Sequence, residues 1–126
     1  MGYDAETIAY FKAILLAKRV EVRARLERNG SPIFVEQLSG LEKKARPQMI
    51  EFIERHNTEL IGDREYLRDI ERSLQKCEDG TYGRCSDCGT EILLARKEAL
   101  PTASRCVSCQ IKHEFISKRN GRRATA

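Results

Sequence analysis

Four of the five cysteines in this 126-residue chain fall in one stretch, CSDCGTEILLARKEALPTASRCVSC, as two Cys-x-x-Cys pairs with seventeen residues between them. Cys85, Cys88, Cys106 and Cys109 thereby follow a spacing inside the range of structural zinc sites. Two residues between ligands let one tight turn aim both sulfurs at one ion, and two such turns complete a tetrahedron with Zn–S bonds of about 2.3 Å. Four thiolates leave no open coordination position, so the expected cofactor is one structural Zn2+ rather than a catalytic ion with bound water. Gly89, directly after the first pair, can take the positive φ that turns backbone N–H groups toward sulfur. A disulfide framework is disfavoured in a reducing compartment, and five cysteines would leave one over. A redox dithiol of the thioredoxin kind needs its Cys-x-x-Cys after a strand in a βαβ unit, and no such pattern is visible; a zinc site that releases its metal on oxidation stays open. Cys77 lies outside the cluster on a helical apolar stripe and reads as a buried thiol. His113 could replace a ligand but is expected on a helix face, as is His56.

A disc of roughly 25 residues cannot bury enough surface to fold alone, so metal binding, about 10–16 kcal/mol in comparable peptides, is expected to supply its folding energy. The whole length suits one ordinary domain, or a small module carried on something longer. No run approaches the roughly 20 apolar residues needed to cross a bilayer, and MGYDAETIAYFK carries acids where a signal peptide wants basic residues. The chain is therefore read as cytoplasmic, without membrane contact, and monomeric. Charged residues make up 33% and aromatics 6%, with no Trp, which predicts a thin core of the kind a helical hairpin has. A net charge of +4 permits contact with nucleic acid or an acidic protein without defining a footprint. With no Gly-rich phosphate loop and no paired His and carboxylate at helical spacing, no enzyme is expected.

The rest of the chain predicts a mainly α fold: an antiparallel helical hairpin over 1–79 with its tip near 39–47, a small four-cysteine zinc finger with a C-terminal helix over 80–119, and a flexible basic tail over 120–126. Asp4 is placed to cap a first helix whose apolar residues Ile8, Phe11, Leu15, Val22 and Leu26 recur at helical spacing, and Asn29-Gly30-Ser31-Pro32 ends it. Pro47 suits the first turn of a second helix. Met49, Ile53, Leu60, Leu67, Ile70, Leu74 and Cys77 form a heptad-like seam on it, interrupted by His56 and Asp63. Run to Cys77, that helix would be about 46 Å long at 1.5 Å per residue, and the first helix is the available cover for its stripe. Ile92, Leu93 and Leu94 suggest a short hairpin strand between the cysteine pairs. A last helix then carries Val107, Ile111 and Phe115 on one face until Asn120-Gly121.

EDGTYGRCSDCGTEILLARKEALPTASRCVSCQ resembles the zinc-finger signature of the bacterial DksA/TraR family. Tyr82, Gly83, Cys85, Cys88, Gly89, Ile92, Arg96, Ala99, Pro101, Cys106 and Cys109 fall on its pattern, over about a quarter of the chain. The upstream helices resemble the longer family members in position and length. The resemblance implies a transcription factor that binds RNA polymerase rather than reading DNA sequence. In the family a coiled coil enters the polymerase secondary channel, placing acidic tip residues near the catalytic magnesium, and the zinc domain and C-terminal helix rest on the rim. Family members alter open-complex stability at selected promoters, often with the alarmone ppGpp.

The tip departs from that pattern. Where the family has Asp-x-x-Asp-x-Ala, a gapless count from Cys85 gives Glu42-Lys43-Lys44-Ala45-Arg46-Pro47. One acid survives as Glu42, while Ala45 replaces the second, and a methyl group cannot do what a carboxylate does beside a metal. Positions that are basic in alarmone-responsive members are Asp69, Leu100 and Gln110 here, leaving little for a pyrophosphate to pair with. The expectation is a DksA-like regulator with altered tip activity and weak ppGpp dependence. The alternative is a zinc-ribbon module that binds protein or nucleic acid away from the polymerase, suggested by the tip lysines and the basic KRNGRR end.

Overall fold

The computed structural model of the chain describes residues 2–34 and 46–125, with side chains described to 119. It contains four helices: α1 (Ala5–Asn29), α2 (Pro47–Asp79), α3 (Leu94–Ala99) and α4 (Val107–Thr125). Asp4 caps α1 as its sequence suggests, its Oδ1 accepting the Thr7 N–H at 2.7 Å. Pro47 takes the first position of α2, where its missing N–H leaves nothing unpaired; the Arg46 carbonyl accepts from Met49 and Ile50 at 3.0 and 3.1 Å. No helix among the described residues is long and apolar enough to cross a membrane.

Two local sequence expectations change. The Ile92–Leu94 strand does not form: among the described residues there is only an isolated bridge between Arg84 and Glu91, and Leu94 opens α3. Ala95, Arg96, Lys97 and Glu98 are good helix formers, and four such residues outweigh the β-preference of one isoleucine. The last helix does not stop at Asn120-Gly121 but runs to Thr125, through residues expected to belong to a flexible tail. A helical glycine costs about 1 kcal/mol and is no stop by itself, and arginines near a helix C-terminus suit its dipole. By packing, the chain forms two compact units. One comprises Met1–Leu16 with Arg72–Ala126, the other Ala17–Glu71.

Within Ala17–Glu71, Val22 of α1 and Ile53, Leu60 and Ile70 of α2 are buried. Asp63, an interruption of the heptad seam, is an anchor: Arg25 grips it with two hydrogen bonds, of 3.2 and 3.0 Å. Arg23 pairs with Glu71 at 3.0 Å, so later residues of α1 meet earlier residues of α2, the order of an antiparallel pair. The apolar seam frays at its start, where Met49 is 42% exposed. Beyond α1, the Asn57 side chain binds the Ile33 backbone in both directions, accepting from its N–H at 2.8 Å and donating to its carbonyl at 2.7 Å. The tip residues Glu42 and Ala45 lie outside the described residues.

Within the other unit, Phe11 and Leu15 of α1, Leu74 of α2, Tyr82 and Ile92 are buried. Tyr3 completes an aromatic cluster with Phe11 and Tyr82, at centroid separations of 6.1 and 6.0 Å. Its hydroxyl donates to the Ile92 carbonyl at 2.6 Å. This packing puts the first turns of α1 in one core with the cysteine region.

Candidate metal centre

Both cysteine turns are built by backbone hydrogen bonds. In the first, the Cys85 N–H donates to the Thr90 carbonyl at 2.8 Å and the Gly89 N–H returns to the Cys85 carbonyl at 3.0 Å. Gly89 has φ +76°, the left-handed conformation expected of it. The second pair sits at the start of α4: the Cys106 carbonyl accepts the Gln110 N–H at 2.9 Å, and Cys109 belongs to the first turn of the helix. A bond of 2.8 Å from the Ser86 N–H to the Ser104 carbonyl joins the two turns directly.

The sulfurs of Cys85, Cys88, Cys106 and Cys109 all lie within 4.8 Å of one another. Cys88 Sγ and Cys106 Sγ are 3.8 Å apart, matching the edge of about 3.8 Å that a tetrahedron with Zn–S bonds of about 2.3 Å requires. Burial raises the cost of charge on Cys85, but the N–H groups of Cys106, Cys88 and Asp87 outweigh it and draw that thiol down to about 6. The Thr90 hydroxyl, 2.9 Å from Cys88 Sγ, lowers that exposed thiol as well. Cys109, crowded by the Cys106 and Cys88 thiols, is pushed far upward. A cation at the centre would favour the thiolate form of all four, and the sulfur separations fit one tetrahedral structural zinc. Zinc here would supply a crosslink between the two turns and no open position for chemistry.

The matched signature residues turn out to be the scaffold of this centre. Ile92 is fully buried against Cys85, Cys109 and Cys106. The Tyr82 hydroxyl donates to the Pro101 carbonyl at 2.7 Å, and Arg96 Nε donates to the Arg105 carbonyl at 2.9 Å. Gly83 (φ +95°) lies so close to the Tyr3 ring that an added Cβ would sit 2.7 Å from it. Cys77 stays apart, half-buried on α2, with burial pushing its thiol up. His113 is exposed on α4 and outside the sulfur group, as its spacing suggested. Sequence reasoning missed Thr90, Lys76, Lys97 and Tyr3. Lys97 is only 2% exposed, with its ammonium 4.0 Å from the Tyr82 ring centroid and donating to the Ala103 carbonyl. Between Arg96 and Glu98 it reads in the sequence as one more solvated charge.

A profile of the prokaryotic DksA/TraR C4-type zinc finger matches residues 80–115. The RNA polymerase-binding transcription factor DksA of Escherichia coli (strain K12) is 31% identical over 111 residues, 88% of this chain and 74% of the relative. DksA of Caulobacter vibrioides is 32% identical over 109 residues, 85% of this chain and 75% of that one. Among solved structures, transcription factor DksA2 of Pseudomonas aeruginosa superposes with TM-score 0.68 at 25% identity, covering 91% of this chain and 88% of that one.

Proposed function

The chain belongs to the DksA/TraR zinc-finger family, and from that premise we propose that it is a transcription regulator that binds RNA polymerase through the secondary channel. Cys85, Cys88, Cys106 and Cys109 hold one Zn2+ that fixes the finger, and the α1–α2 pair is the element that enters. The observation that carries this reading is the 31% identity to a polymerase-binding factor over 88% of the chain. The four-sulfur centre, built on the family's own motif residues, supports it. The tip differs in output: Glu42 keeps one carboxylate, Ala45 removes the other, and Lys43 and Lys44 reverse the local charge. Alarmone dependence is weak. In support, Leu100 offers an exposed apolar side chain, and the Gln110 amide is engaged with Glu114 at 3.1 Å.

Binding of the zinc-loaded protein to bacterial core polymerase, with a known secondary-channel protein as competitor, tests the proposal. Mutually exclusive binding at micromolar concentration is expected, and its absence overturns the reading. Ala45→Asp should change transcription at responsive promoters while leaving binding intact. A second reading, a module that acts away from the polymerase, is favoured by the exposed apolar face of α4, where Ile111 and Phe115 are 60% and 66% exposed beside Lys112, Lys118 and Arg119. Affinity for DNA that falls steeply with salt would support it, because phosphate contacts release counterions.

A further inference from the structure

Four thiolates around one divalent zinc leave two negative charges in excess. Cys85 and Cys109 are 3% and 9% exposed, so part of that charge is held out of water and needs a partner. Two cations from different parts of the chain reach the cysteine turns. Lys76, near the end of α2, reaches the residue after Cys85, its Nζ donating to Ser86 Oγ at 2.6 Å. The Lys76 carbonyl meanwhile accepts from Thr81 and Tyr82 at 3.0 and 3.2 Å, so the residue is fixed at both ends. Arg105, directly before Cys106, donates from Nε to Asp87 in the first cysteine turn at 2.9 Å. Together these contacts link α2 to the first turn and the first turn to the second. Asp87 offsets one of the two charges, and Arg72, one helical turn before Lys76, adds to them. Burial is the main cause that lowers the Lys76 amine, Arg72 and Arg105 add to it, and the negative charge of Cys85 opposes it, so these groups share one electrostatic neighbourhood.

We propose that Lys76 and Arg105 are positioning residues for the zinc centre, holding the two cysteine turns together and supplying the positive charge that slows metal release. The inference rests on the zinc reading above. The Lys97 ammonium is engaged by carbonyls and a ring, and the Arg84 side chain lies against Gly2, so neither takes this role.

The test uses the full chain loaded with zinc. Metal content is measured first, then release to a chromophoric chelator, for the wild type, Lys76→Met, Lys76→Gln, Lys76→Arg and Arg105→Met. One zinc per wild-type chain is expected, with release from Lys76→Met and Arg105→Met about tenfold faster, as for other groups that support metal ligands. Lys76→Gln, polar without charge, should behave like Lys76→Met, while Lys76→Arg should keep the wild-type rate. In 1 M salt, where the screening length falls to about 3 Å, the difference should shrink. Wild-type release from Lys76→Met would overturn the proposal. So would a fall in melting temperature of the metal-free variants as large as that of the loaded ones, since Lys76 would then be a strut of the fold alone. A wild type that binds no zinc would sink the metal reading with it; a loaded wild type with indifferent variants would sink this inference only.

Discussion

Gly83 shows how one residue can be fixed by both backbone and neighbour. Its φ of +95° strains any L side chain, and an added methyl would meet the Tyr3 ring at 2.7 Å. Gly83→Ala should therefore destabilise the chain by about 2–4 kcal/mol, measured by thermal or urea unfolding of the zinc-loaded protein. Lys97 sets a different test. Burial, with Lys76 as a lesser cause, lowers its amine from 10.5 to about 8, because two carbonyls and a ring replace only part of its hydration. Between those values the unfolded chain binds more protons than the folded one, so stability rises with pH through the window and is flat below it. Relative to Lys97→Met, the wild type should gain at most about 2–3 kcal/mol between pH 8 and 10.5, and stability curves that stay parallel would refute the shift. Neither residue's role could be read from the sequence, which shows Gly83 as a motif glycine and Lys97 as one charge among many.

Of the elements, the long helices were the most legible. Capping by Asp4, the initiating Pro47 and the spacing of Phe11, Leu15, Val22, Leu60 and Ile70 are local or periodic signals, and the helices follow them. The short ones were not: six residues of α3 carry too little periodicity to separate them from a strand, and Gly121 reads as a stop only if its neighbours are ignored. Asn57 was also hidden, because its partner is a backbone segment outside any helix. Its two-way bond to Ile33 mimics a strand pairing and fixes the chain as it leaves α1. Asn57→Ala should cost about 1–2 kcal/mol and speed hydrogen exchange at the Ile33 amide, leaving amides of the zinc finger unchanged.

For the molecule as a whole, the zinc ligands were legible because thiolate chemistry needs a fixed spacing, whereas the surrounding support depends on contacts between segments far apart in sequence. Stripping the metal with a chelator should keep most of the far-UV helical signal, since α1 and α2 span 25 and 33 residues without any cysteine ligand. Exchange should accelerate at the Cys85 and Ser86 amides, whose acceptors are the Thr90 and Ser104 carbonyls, while amides of α2 between residues 50 and 70 stay protected. The bond from Tyr3 to Ile92 also has a consequence on the ribosome, for it spans 89 positions. At bacterial synthesis speeds of about 5–20 residues per second, Tyr3 is made some 4–18 seconds before Ile92, and Phe11 likewise precedes Tyr82. Through that interval the nascent chain displays a small aromatic surface that only the arrival of the finger can cover.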